Sequence, residues 1–142
     1  MPQMTREECH AFLANQVRTG KLATTRKDGR PHVAPIWFAM DGETIVFTTA
    51  ETTVKARNMR RDPRVCLCTD DEHPPFAYVQ IEGMASLSDN LDELRYWAAQ
   101  IAGRYMGKDL AEAYGKRNAV EGELLVRIVP TRLHGEKNIS DF

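Results

Sequence analysis

Pro31-His32-Val33-Ala34-Pro35-Ile36-Trp37-Phe38-Ala39-Met40 is apolar on both of its alternating phases. Val33, Pro35, Trp37 and Ala39 fall on one phase, and Ala34, Ile36, Phe38 and Met40 on the other. Successive side chains of a strand point to opposite faces, so both faces of this stretch need cover. A barrel interior takes one face. The other needs a helix or a second subunit, because a small soluble domain rarely leaves a contiguous apolar patch in water. The run therefore predicts a small barrel assembled as a homodimer.

Upstream lie Lys21 to Arg26 and a turn at Lys27-Asp28-Gly29-Arg30; downstream lie a turn at Asp41-Gly42 and the run Thr44 to Thr49. Together these predict three strands in a meander. Alternation predicts further strands over Arg64 to Thr69, over Phe76 to Ser88 beyond a proline-closed acidic loop at Asp70 to Pro75, and over Glu123 to Val129, stopping before Pro130. Thr5 and Glu8 form a capping box ahead of Phe12, Leu13 and Val17, predicting a first helix that stops near Gly20. Thr52 or Thr53 caps a second helix to about Arg61, where Asp62-Pro63 forbids continuation. A long helix from about Leu91 places Leu94, Trp97, Ala98, Ile101 and Tyr105 on one stripe. Short turns favour antiparallel pairing, and closure removes exposed edges. The expected fold is mainly β, a β-barrel of about six antiparallel strands with peripheral helices, as a single domain over residues 1–142.

The 142 residues carry 19 Lys plus Arg against 20 Asp plus Glu, are 42% hydrophobic, and bear a formal charge of -1. No basic excess is available to displace counterions from a phosphate backbone, so nucleic acid is not the expected partner. No apolar window is long enough for a membrane span, and MPQMTREECH lacks the order of a secretory signal, so a cytoplasmic protein with no membrane partner is expected. Cys9, Cys66 and Cys68 cannot all pair within the chain, which suits a reducing compartment. Cys66, Cys68, His73 and His134 raise the question of zinc, but one residue between the cysteines is tighter than structural zinc spacing, so no metal is expected. The chain has no phosphate loop, dinucleotide fingerprint, nucleophile elbow or H-E-x-x-H helix, and His32 and His134 have no nucleophile at motif spacing.

The chemistry concentrates in Phe47-Thr48-Thr49-Ala50-Glu51-Thr52-Thr53-Val54-Lys55-Ala56-Arg57-Asn58-Met59-Arg60-Arg61, where strand, hydroxyl-rich turn and helix follow one another. A helix N-terminus carries unpaired N–H groups and partial positive charge, so a cation in the first turn is unfavourable unless an anion sits there. Lys55 occupies that turn, Asn58 follows three residues on, and the hydroxyls of Thr49, Thr52 or Thr53 stand at the mouth, a set able to hold a phosphate. A helix whose Lys55, Arg57, Arg60 and Arg61 simply face water fits the same spacing.

Three segments add a resemblance: G-K-L-A-T-T-R-K-D-G-R-P-H-V-A-P-I-W-F from Gly20, V-F-T-T-A-E-T-T-V-K-A-R-N-M-R-R-D-P-R-V from Val46, and V-Q-I-E-G-M-A-S-L from Val79. They resemble the pyridoxamine 5′-phosphate oxidase-like split-barrel superfamily. The central segment is most similar to the branch that uses the deazaflavin coenzyme F-420, whose K-x-x-N pair would be Lys55 and Asn58 here. Relatives that use FMN share a Ser/Thr-x-Lys phosphate contact, matched by Thr53 and Lys55. The resemblance implies a homodimer with two cofactor grooves, the ring lying against backbone near Pro35, Ile36 and Trp37, and Thr48 and Thr49 following the ribityl chain. It also offers Phe76, Tyr78 and the His134 region as walls from the partner chain. Many relatives carry an aromatic residue soon after the last strand; this chain reads Leu133-His134-Gly135-Glu136-Lys137. The implied activity is hydride transfer from reduced coenzyme F-420 to a conjugated acceptor such as an enone, quinone or tetrapyrrole. An FMN-binding oxidoreductase and a non-catalytic carrier or sensor are the alternatives. The basic cluster at Lys55, Arg57, Arg60 and Arg61 suits the coenzyme's phosphate and acidic tail.

Overall fold

A computed structural model, describing residues 2–141, shows seven strands in one antiparallel sheet. They are β1 (Gly20–Thr25), β2 (Pro31–Ile36), β3 (Ala39–Asp41), β4 (Thr44–Ala50), β5 (Arg64–Asp71), β6 (Ala77–Ser88) and β7 (Glu123–Glu136), in the spatial order β2-β1-β5-β6-β7-β4-β3. The fold is thus a mainly β barrel with peripheral helices, as expected, but the strand count and local topology differ. Pro31 to Met40 is not one strand. It breaks at Trp37-Phe38, and β2 and β3 lie on opposite edges of the sheet instead of side by side in a meander.

The break has a physical cause. Phe38 is fully buried, and its backbone N–H, which has no ladder partner at the corner, donates to the Tyr105 hydroxyl at 3.1 Å. A two-residue link therefore joins the two edges and closes the sheet on itself. Leu22, Phe47, Leu67, Ile81 and Ile128, from five different strands, fill the interior with Phe38.

Helix α1 (Arg6–Asn15) begins with the predicted Thr5–Glu8 capping box and ends at Asn15, earlier than Gly20; it buries Cys9 and Leu13 in the core. Thr53, not Thr52, caps α2 (Val54–Arg61), which buries Ala56, Asn58 and Met59. Helix α3 (Leu91–Met106) follows an Asn90 cap and packs Leu94 against Val46 and Leu125 in a second cluster.

Two features were not foreseen. Helix α4 (Lys108–Asn118) follows α3 directly, the chain reversing at Gly107 with φ of 102°. A Cβ at Gly115 would stand 2.9 Å from the Arg95 carbonyl oxygen and 3.0 Å from Ala99 Cβ, so α4 lies backbone-close on α3. Its sequence, KDLAEAYGKRN, has few apolar residues and an internal glycine, which hides the helix from periodicity. Strand β7 also runs through Pro130 to Glu136, because the β6–β7 register shifts between Glu82 and Gly83 opposite the proline, where its missing N–H is tolerated. Phe76 stands just before β6 at φ of 64°, a turn residue rather than the first of the strand.

Candidate functional site

The junction of β4 and α2 is tied by hydroxyls. Thr53 Oγ1 accepts from Ala56 N at 3.2 Å, donates to the Ala50 carbonyl at 2.9 Å, and lies 3.0 Å from Thr49 Oγ1. Both threonines hold the helix start in place. No acidic side chain occupies the first turn, and Lys55 does.

Lys55 borders a cavity of about 210 Å³. On the strand side, Pro35, Ile36, Trp37 and Thr48 line it; on the other side are Ala98, Ile101, Ala102 and Met106 of α3, with Tyr114 and Asn118 of α4. Burial pushes the Lys55 ammonium below the ordinary lysine value of 10.5, against the opposing pull of Glu123. The Glu123 carboxyl is itself pushed up by burial. No carboxylate lies within 4 Å of the Lys55 ammonium among the described residues. A half-buried cation without an ion pair, placed at a positive helix end, is unfavourable until an anion joins it.

Trp37 stands at the rim of the cavity, 47% exposed, and stacks on Tyr105 with ring centroids 4.8 Å apart and planes 7° apart. The Tyr105 hydroxyl donates to the Arg18 carbonyl at 2.7 Å while accepting the Phe38 N–H. Helix α3 thereby fixes both the barrel corner and the indole plane beside it.

Asn58 takes a different course. It is 4% exposed, its Nδ2 donates to Thr24 Oγ1 at 3.0 Å, and its Oδ1 accepts from Arg61 at 3.2 Å. It borders the cleft on the far flank of α2, where Arg26, Lys27, Arg30, Arg57 and Arg61 surround about 690 Å³ with Asp28 as the only acidic lining residue. Of the eight residues singled out in the sequence, Pro35, Ile36, Trp37, Thr48 and Lys55 meet at one cavity. Thr49 and Thr53 tie the start of α2 without lining the cavity, and Asn58 borders the cleft on the other flank. Sequence reasoning placed Tyr105 in a core stripe and missed Met106, Tyr114 and Asn118; α4 gave no signal that would have found the last two.

Tyr78 and His134 lie on the outward face of β6 and β7, not in the cavity. The Tyr78 hydroxyl donates to the Glu136 carboxylate and stands 3.4 Å from His134 Nε2. Cys66 and Cys68 are free thiols, both pushed up by burial. Among the described residues, no three His, Cys, Asp or Glu side chains gather as a metal site, and no helix is long and apolar enough to cross a membrane.

Fold and site define a split barrel with a cationic helix start at one end of a groove of mixed polarity. The family model for pyridoxamine 5′-phosphate oxidase matches residues 5–135, and the chain belongs to that family, which includes oxidoreductases. It is 30% identical over 95 residues to general stress protein 26 of Bacillus subtilis, a match covering 65% of this chain and 67% of that protein. A conserved hypothetical protein of Mycobacterium tuberculosis superposes with a TM-score of 0.82 at 29% identity, covering 96% of this chain and 87% of the other. An F420 reductase superposes with a TM-score of 0.69 at 26% identity, covering 87% of this chain and 94% of the other.

Proposed function

We propose that this protein is an oxidoreductase that binds reduced coenzyme F-420 and serves hydride transfer to a conjugated small molecule such as an enone, quinone or tetrapyrrole. The observation that carries this is Lys55, a desolvated ammonium without an ion pair, facing a cavity shared with Pro35, Ile36 and Trp37. The structural likeness to an F420 reductase supports the choice of coenzyme.

The bound coenzyme, when reduced, supplies the hydride. The chain supplies position. Lys55 and the first N–H groups of α2 neutralise and orient the phosphate, with Thr49 and Thr53 anchoring that helix start. Thr48 would border the linking chain, and Pro35, Ile36 and the Trp37 plane would offer a flat apolar surface to the ring. Asn58 contributes at one remove, by bonding α2 to Thr24 on β1.

FMN is the second reading, because Thr53 and Lys55 also satisfy the flavin-type phosphate contact. An absorption spectrum and a fluorescence titration with each cofactor separate the two. A colourless protein that binds coenzyme F-420 is the expected result; a yellow preparation with bound FMN overturns the choice. Reduced coenzyme deuterated at its reactive carbon, offered menadione and a cyclic enone, should deliver the label to product. Tight binding without oxidation by any acceptor would instead mark a carrier or sensor.

The active form is proposed to be a homodimer. The outward sheet face leaves Val33 66%, Met84 43% and Val129 56% exposed, apolar side chains that a second copy would cover. Tyr78 and His134 lie on that same face and Phe76 at the edge of β6, in reach of a partner's groove. Light scattering at micromolar concentration should report a dimer, weakened by Val33→Asp; a concentration-independent monomer removes the shared groove. The three cysteines as free thiols suit the reducing cytoplasm as the place of action.

A further inference from the structure

Lys55 is not the only uncommitted polar group on the cavity. Thr48, Tyr114 and Asn118 also border it, and among the described residues none of their side chains has a hydrogen-bond partner within 3.5 Å. Tyr114 and Asn118 stand at i and i+4 on α4, one above the other on a single face. Both are half-buried. The close contact of Gly115 with Arg95 and Ala99 seats α4 on α3, so these side chains are placed by backbone packing and not by a loop. Unpartnered donors and acceptors converging in an otherwise apolar cavity mark a place for a polar ligand.

The lining narrows the ligand's chemistry: one cation, two hydroxyls and one amide face a single cavity, as a phosphate carried on a hydroxylated chain requires. Trp37 stands exposed at the rim with Pro35 and Ile36 beside it, where a ring would rest. Lysine only donates, whereas tyrosine and asparagine each donate and accept, as a hydroxyl partner requires.

Resting on the cofactor reading above, we propose that Tyr114 and Asn118 bind the hydroxyl-bearing chain next to the phosphate, so that α4 selects phosphorylated sugars or sugar alcohols over bare phosphate. The test is competition by ribose 5-phosphate and by inorganic phosphate against coenzyme F-420 fluorescence. In the unmodified protein, ribose 5-phosphate should compete at least about tenfold better than inorganic phosphate. Asn118→Ala and Tyr114→Phe should each reduce that preference about three- to tenfold while leaving inorganic phosphate unchanged. Lys55→Ala should weaken both competitors alike. An undiminished preference in both α4 variants overturns the role of α4 and leaves the cofactor reading standing. If the unmodified protein binds neither coenzyme F-420 nor FMN, that reading falls, and calorimetry with ribose 5-phosphate decides the α4 role alone: binding lost in Asn118→Ala supports it, and no binding at all overturns it. Asn118→Asp guards against a folding artefact. It keeps side-chain size but sets a carboxylate beside the phosphate, so it should weaken ribose 5-phosphate more than alanine does at an unchanged Tm; equal effects overturn the proposal.

Discussion

Lys55 and Asn58 lie three residues apart on one short helix and meet opposite fates. Lys55 enters a cavity with no ion pair and is pushed down by desolvation, while Asn58 is buried with both ends of its amide bonded. Helical spacing brings two side chains near one another, but what lies beyond the helix decides whether each stays available. Thr24 projects from β1 into the barrel end and takes the Asn58 amide; among the described residues no side chain bonds Lys55 in the same way. Uncommitted polarity at one position and committed polarity at the other separate a binding residue from a supporting one.

The strongest attempt to break that contrast is Lys55→Ala. It should weaken coenzyme F-420 by about 1.5 to 3 kcal/mol, the scale of a charged hydrogen bond, with Tm held or slightly raised because a desolvated cation is removed. Unchanged affinity in a fluorescence titration would return Lys55 to an ordinary surface residue. Asn58→Ala should show the reverse balance, a stability loss of about 1 to 3 kcal/mol in urea unfolding from one buried and one partly buried hydrogen bond left incomplete. A large loss of affinity with stability intact would restore Asn58 as a direct ligand.

Thr53→Ala sharpens the comparison, since the cap serves both residues. It should cost about 1 kcal/mol of stability through the lost Ala56 N–H bond, with a smaller loss of affinity than Lys55→Ala. The smallest effect is in pH. Burial lowers the folded pKa of Lys55 below the ordinary 10.5, so the unfolded chain binds that proton more readily. The ligand-free protein should therefore gain stability as pH rises from the lowered value toward 10.5, and Lys55→Met should remove the gain. Affinity for a phosphate ligand should run the other way, falling as Lys55 loses its proton. A melting series with and without ligand reads both signs.

Local chemistry determined much of the molecule from sequence alone. The Thr5–Glu8 capping box, the cap before α2, its stop at Asp62-Pro63 and the alternation of β6 each depend on residues a few positions apart. Lys55 and the Thr53 cap were legible for the same reason, since strand, turn and helix start are contiguous in the chain, whereas Pro35, Ile36, Trp37 and Thr48 came only from the family resemblance. Tertiary structure decided the rest. Trp37-Phe38 became a corner because the barrel interior claimed Phe38 and Tyr105, far along the chain, satisfied its N–H. Asn58 turned from the cavity because Thr24, 34 residues away, was there to bond it. The wall made by α4 stayed hidden because a mostly polar helix with an internal glycine gains its stability from contact with Ala99 and Arg95 of α3, a contact that exists only once the chain has folded.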